Sequence, residues 1–318
     1  GAIAPMTSAP VTVIPSAPDH FEISQIPSPV TAGEAVAVTI RAVDVSGNTV
    51  PGYQGDAILM ANTGPGSMSP EAMTFNDGVW TGNIVFRGAG SSVSFTCSDY
   101  STPPHTATSN SFQVLPGPFV GLQVLLPGQT PRGGTATGYS GEPTDQSAGT
   151  AFLVSVRAVD EFWNRVPTVN DRIALGSTDL FAAMPAETTL SSGEIVFPAT
   201  LYKCGFQTIT ASDVTTPSIA PHTSRPVEII GGPYSRILIL APGEELAPGT
   251  ETGRTGEATD QSINFAFTVT VYATDAWWNP VAGVGDLIRI TSNDPLAELP
   301  PDEPLVDGRA EMNVRLST

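Results

Sequence analysis

Two stretches of the chain, TGYSGEPTDQS (Thr137–Ser147) and TGRTGEATDQS (Thr252–Ser262), carry matching oxygen-bearing side chains in the same order. Glu142, Asp145 and Gln146 in the first correspond to Glu257, Asp260 and Gln261 in the second. A hard cation such as calcium takes about six to eight oxygen ligands from carboxylates, amides and carbonyls. Asp160 with Asn164, and Asp275 with Asn279, add further oxygens. Glu142, Asp145, Asp160, Asn164, Glu257, Asp260, Asp275 and Asn279 are therefore candidate calcium ligands, although nothing in the sequence requires a cofactor. The same side chains could instead cap backbone N–H groups in long loops. No stretch has the dense Asp spacing of a dedicated calcium loop.

A second chemistry lies in the turn tryptophans. Trp163, Trp277 and Trp278 could stack on sugar rings as a glycan-binding tip. They could equally cover apolar surface where successive repeats meet, with Pro118–Phe119 and Pro233–Tyr234 as linker partners. Aromatic turns and long insertions occur together in two repeats and are both absent from the first, so each insertion could also fold over its own turn. Catalysis has little to work with. His105 and His222 share one slot in the loop before a closing strand, Met6 fills that slot in a partial copy, and His20 stands apart. Neither a serine nucleophile elbow nor a zinc-spaced cluster is present. Asp44/Asp160/Asp275 and Asp56/Asp171/Asp286 recur in every unit, as residues that serve a fold do, whereas a glycosidase pair would be unique. The expectation is a protein that is not an enzyme.

The elements that must position these residues are strands. AVTIRAVDVSGN (Ala37–Asn48), FLVSVRAVDEFWN (Phe152–Asn164) and FTVTVYATDAWWN (Phe267–Asn279) alternate apolar and polar positions, which buries one face of a sheet and solvates the other. Asp44, Asp160 and Asp275 close these strands, and Asn48, Asn164 and Asn279 follow. Asp folds its carboxylate onto nearby N–H groups and Asn tolerates the left-handed backbone of a tight turn. The 31 Gly and 30 Pro are dispersed between alternating runs and punctuate strands. No window has sustained helical periodicity, so the expected class is all-β.

Composition narrows the partners. The chain has 318 residues and a formal net charge of −18, from 31 acidic and 13 basic side chains. Nucleic-acid binding draws its affinity from Lys and Arg on phosphates, so no nucleic-acid partner is expected. No stretch approaches the roughly 20 apolar residues of a membrane span, so no membrane insertion is expected within this segment. Cys97 and Cys204 fall in different slots of the repeat and are read as unpaired.

The repeat also divides the chain. IAPMTSAPVTVI (Ile3–Ile14) matches the domain-closing IAPHTSRPVEII (Ile219–Ile230), and Gly308–Leu316 matches Gly193–Leu201. Residues 1–16 are thus expected to be the terminal strand of a preceding repeat, or a donor strand. Residues 17–117 and 118–232 form two complete domains. Residues 233–318 form a third that lacks its last two strands. Pro10, Val11, Val13 and Ile14 would be the assembly residues if one chain's N-terminal strand completes the third domain of the next in a head-to-tail filament.

Seven short strands in about 100 residues, separated by turn chemistry, fit an immunoglobulin-like sandwich. AGEAVAVTIRAVDVSGNTVPGYQGD (Ala32–Asp56), followed by FNDGVWTGNIVF and VSFTCSD, resembles the bacterial immunoglobulin-like repeats of surface adhesins and large secreted proteins. The resemblance covers essentially the whole chain. It implies tandem seven-stranded sandwiches in an elongated array, at a bacterial cell surface or outside the cell. The role it implies is structural, as stalk, spacer or filament, with neighbouring repeats or identical subunits as partners. An adhesin or carbohydrate-binding array, with surface glycans as ligands of the turn tryptophans, is the alternative.

Overall fold

The structure, a computed structural model, describes residues 5–12 and 14–317. Among these residues regular structure is β throughout, without a helix. No helix, therefore, is long and apolar enough to cross a membrane. Two compact units make up the chain. One runs to Pro118 and includes Arg132–Tyr139 and Asp160–Arg165; the other comprises Phe119–Pro131, Ser140–Val159 and the chain from Val166.

In the first unit the alternating stretch forms the strand Ala35–Val43. Val36, Val38, Ile40 and Ala42 are buried, while Ala35, Ala37 and Arg41 face out. Antiparallel partners flank it: His20–Ile23 on one side (Phe21 opposite Ala42) and Val79–Phe86 on the other (Ile40 opposite Trp80). A second sheet orders Thr106–Thr108, Phe95–Asp99, Asp56–Ala61 and Ala72–Thr74. A third joins Gly90–Val93 to the closing strand Phe112–Leu115, which pairs in parallel with Val30–Thr31. Phe21, Phe75, Phe86, Phe95 and Phe112 fill the space these sheets enclose. Burial of each such side chain contributes roughly 1.5–3 kcal/mol, which makes the alternation decisive for register.

The second unit repeats this plan. Ala151–Val159 lies between Gly121–Leu125 and Glu194–Thr200. Arg172–Ser177 pairs with Glu187–Thr189 and Ile209–Asp213. The closing strand Val227–Ile230 pairs with Gly205–Gln207 and, in parallel, with Gln146–Ser147. The end of the long insertion thus supplies the parallel edge that Val30–Thr31 supplies in the first repeat. Further along, Ala266–Thr274 lies between Arg236–Leu240 and Arg309–Arg315 over a smaller core of Val269, Val271, Ala273, Leu305, Met312 and Val314.

One alignment read from sequence is corrected by register. The N–H of Phe75 bonds the carbonyl of Gly55, as Leu190 bonds Asp171 and Leu305 bonds Asp286. Asp171 and Asp286 therefore share a slot with Gly55. Asp56 sits opposite Thr74 as Arg172 sits opposite Thr189, so it is not their counterpart. Both sequences place an Asp at the start of the strand, but one residue apart, and a slip of one residue moves a side chain to the other face.

Candidate functional site

Each Asp…Asn turn is built around one buried carboxylate. Asp160 Oδ1 accepts the N–H groups of Phe162 and Asn164 at 2.8 and 2.9 Å. Its Oδ2 accepts Asn164 Nδ2 at 2.9 Å and the Gly117 N–H at 2.7 Å. Asp275 repeats the set with Trp277, Asn279 and Gly232. Asp44 does so with Ser46, Asn48 and Ser16. The backbone N–H of Asn48 leads the bonds that hold the Asp44 carboxyl below the usual carboxylate range. Four donors fill the acceptor capacity of a carboxylate. The side chain thus pins the linker, through Gly117 or Gly232, to the turn that follows it.

The Asn of the turn then reaches back to an earlier loop. Asn164 Nδ2 donates to the carbonyl of Arg87 at 2.7 Å, and its Oδ1 accepts the N–H of Ala89 at 2.8 Å. Asn279 bonds the carbonyl of Tyr202 at 2.6 Å and the N–H of Cys204 at 2.8 Å. Both amides are almost fully buried, whereas Asn48 is exposed. Sequence reading placed Asn164 and Asn279 at turns without finding this grip. It clasps backbone alone.

The aromatic pair divides its work. The first ring faces the preceding repeat: Phe162 packs against that core and would collide with a Cβ at Gly33. Trp277 lies on the ring of Tyr202 with centroids 4.0 Å apart. The second ring covers its own insertion. Trp163 Nε1 donates to the carbonyl of Ala136 and Trp278 Nε1 to that of Glu251. A Cβ at Gly138 or Gly253 would overlap these indoles. Trp163 and Trp278 sit at φ +65° and +66°, in the slot that Gly47 fills at +80° in the first repeat. Of Pro118–Phe119 and Pro233–Tyr234, expected as linker partners of the tryptophans, Phe119 packs on the core of the second repeat, and burial and the nearby Asp286 push the Tyr234 hydroxyl up.

The remaining candidates are scattered. Glu142 pairs with Arg225 at 2.8 Å, and Asp145, Glu257 and Asp260 are exposed. Among the described residues no three His, Cys, Asp or Glu side chains are gathered as a metal-ligand set. Pro10, Val11 and Ile14 are exposed and outside any strand; Val13 lies outside the described residues. Cys97 is buried and Cys204 half-buried, and both are free thiols. Burial pushes these thiols up, to about 12 and about 11.

Equivalent strand ends carry two further acids with opposite surroundings. Asp99 accepts bonds from Tyr53 Oη at 2.7 Å, His105 Nδ1 at 2.6 Å and Ser101 Oγ at 2.7 Å. Burial alone would raise its carboxyl, but the bonds from His105, Ser101 and Tyr53 outweigh that and hold it well below the usual range. Asp213 pairs in the same register, yet its Oδ2 is buried without a hydrogen-bond partner. Burial and the neighbouring Asp171 push its carboxyl up.

No family model matches the sequence, and no curated protein does. Solved structures do. FdeC, an Escherichia coli adhesin, is similar over 96% of this chain and 91% of its own, at 15% identity and a TM-score of 0.32. Invasin, a bacterial integrin-binding protein, is similar over 94% of this chain and 54% of its own, at 15% identity and a TM-score of 0.29. The β-glucuronidase 3 of Bacteroides uniformis is similar over 67% of this chain, at 14% identity and a TM-score of 0.28. The chain spans only 25% of that glycosidase's length.

Proposed function

We propose that this chain is a non-catalytic structural segment of a bacterial extracellular or cell-surface protein, built from immunoglobulin-like sandwiches of the seven-stranded plan. The observation that carries the reading is the Asn grip, made twice with the same donor, the same acceptor and nearly the same distances. A joint held by a buried bidentate amide, a pinned linker and an aromatic ring resists bending and pulling apart. The buried polar groups of the second and third Asp…Asn turns are thus spent on joining repeats. Force spectroscopy on the stretch from Phe119 tests the reading. The second and third repeats should resist as a coupled unit, and Asn279→Ala should split their rupture into separate, weaker events. Identical traces for parent and variant would remove the support.

A further inference from the structure

We propose that the second repeat binds a hard divalent cation of the calcium kind between the carboxylates of Asp171 and Asp213. Thr216 brings these two acids together. Its N–H bonds Asp213 Oδ1 at 2.7 Å, and its hydroxyl bonds Asp171 Oδ2 at 2.9 Å. Asp213 is only 5% exposed, and its other oxygen, Oδ2, is buried with no hydrogen-bond partner. A buried carboxylate oxygen is costly unless a donor or a cation meets it. Among the described residues no basic side chain pairs with either acid. Arg172, next to Asp171, pairs with Glu187 at 3.3 Å, and His222 Nδ1 accepts the N–H of Val124 at 3.2 Å.

The first repeat shows what this oxygen lacks. Asp99 holds the slot of Asp213, opposite Ala57 as Asp213 lies opposite Ile173. Side-chain donors from Tyr53, Ser101 and His105 fill it. In the second repeat each of them is gone or diverted. Val169 stands in the place of Tyr53, since Gly193 bonds its carbonyl as Gly78 bonds that of Tyr53. Thr215 follows Asp213 as Ser101 follows Asp99, but its hydroxyl accepts the N–H of Arg172 at 2.9 Å. Ser109 and Ser224 share one slot, accepting the N–H of Phe95 and of Ile209. Four residues before them stand His105 in the first repeat and Ala220 in the second. Meanwhile Asp171 takes the slot of Gly55, so a second carboxylate arrives where the donors leave. A cation answers both changes at once, because it meets the oxygen without a donor and offsets the added charge.

Calcium accepts about six to eight oxygens in flexible geometry. Asp213 Oδ2, the Asp171 carboxylate and Thr216 Oγ1 would be the protein's share, with water completing the set. Asp171 and Thr216 are half-buried, so an ion reaches them from solvent. So few protein ligands set a weak affinity, with Kd about 0.1–1 mM, as in extracellular calcium modules.

Hydrogen exchange on the full chain, stripped of metal by a chelator, reads the site locally. Calcium at about ten times its Kd should slow exchange across Ile209–Asp213 and on to Thr216 about tenfold. Phe95–Asp99, whose carboxylate is already filled, should not respond. Calorimetric titration with calcium should return the Kd above, and Asp213→Asn or Asp171→Asn should weaken it at least about tenfold. Without calcium both variants should melt no lower than the parent, which shows that they fold and have lost only the ion. Glu142→Gln combined with Asp145→Asn, in the long insertion, should leave binding intact. Exchange and heat indifferent to calcium would overturn the proposal and leave Oδ2 to a proton shared with Asp171. Slowing confined to other segments, or binding that survives Asp213→Asn, would overturn it as well.

Discussion

The side chain of Asn279 donates to the carbonyl of Tyr202 at 2.6 Å while its oxygen accepts the N–H of Cys204 at 2.8 Å. One amide so pairs both a donor and an acceptor of a loop far away in sequence, and its Nδ2 still reaches Asp275 at 2.9 Å. Asn279→Ala would leave those backbone groups, on half-buried Tyr202 and Cys204, without this partner, at about 1–2 kcal/mol for each, the lower part of the range for a buried group. The expected loss is roughly 2–4 kcal/mol in urea unfolding. Asn279→Asp should cost at least as much, since it removes the donor and sets a second carboxylate against Asp275. Asn48→Ala is the internal comparison. Asn48 is exposed and, among the described residues, its side chain bonds Asp44, so its loss should stay below about 1 kcal/mol. Equal losses at Asn48 and Asn279 would show that the grip adds nothing.

The tryptophan beside that Asn sets up a second expectation. A left-handed backbone costs a side-chain-bearing residue roughly 1–2 kcal/mol relative to Gly. Trp278 adopts it at φ +66°. Its indole bonds the Glu251 carbonyl at 3.1 Å and lies under the Arg236 guanidinium at 4.7 Å. Trp278→Gly should relieve the backbone and release the insertion. Hydrogen exchange should quicken at Glu244–Leu246 and Arg254–Gly256, with Ala266–Thr274 unchanged. Uniform quickening over the repeat would mean that the indole supports the whole fold and not the insertion alone.

What could be read from sequence follows the range of each interaction. The strands around Ile40, Val156 and Val271 were legible because period-two burial is written in consecutive residues. The turn was legible because Asp160 and Asn164 bond within one short loop. The grip was not. Arg87-Gly88-Ala89 and Tyr202-Lys203-Cys204 share no side-chain chemistry, and Asn164 and Asn279 touch only their backbone, so the partner leaves no trace in composition. The division of the aromatic pair was half legible. Co-occurrence with the insertions pointed to the aromatic turns as a whole, whereas which ring covers the insertion, and the contact of Trp277 with Tyr202, depend on packing distances that no spacing reveals.

Asp99 and Asp213 should respond to pH in opposite senses. The Asp99 carboxyl is held below its unfolded value, near 4. Its stabilisation is therefore complete above that value and is lost as the pH falls through the folded one. Asp213 is pushed above its unfolded value, so its contribution is full below that value and disappears as the pH rises through the folded one. Asp99→Asn should destabilise by roughly 1–3 kcal/mol at neutral pH. Asp213→Asn should stabilise by about 1 kcal/mol there, because the buried Oδ2 without a partner is replaced by an uncharged amide. Both effects should shrink toward about pH 3. Thermal melts of the two variants across this range decide the matter. A shift of the same sign at neutral pH would contradict the opposed surroundings of the two acids.

Trp277 separates joint from ligand site. The residue is 37% exposed, enough to meet a sugar, yet its ring packs at a tilt against Tyr202. Aromatic contacts of this kind contribute roughly 0.5–1.5 kcal/mol beyond area burial. If packing is its role, Trp277→Ala lowers stability by about 1–2 kcal/mol and Trp277→Phe restores most of it, because a smaller ring still packs against Tyr202. Gly149→Ala should act from the other side. A Cβ there would meet Trp277 Nε1, and the backbone at φ +75° disfavours any side chain. The expected sign is a change in tryptophan emission together with lost stability. Were Trp277→Ala instead to leave the melt unchanged and abolish retention on a glycan matrix, the ring would belong to a binding surface and its contact with Tyr202 would be incidental.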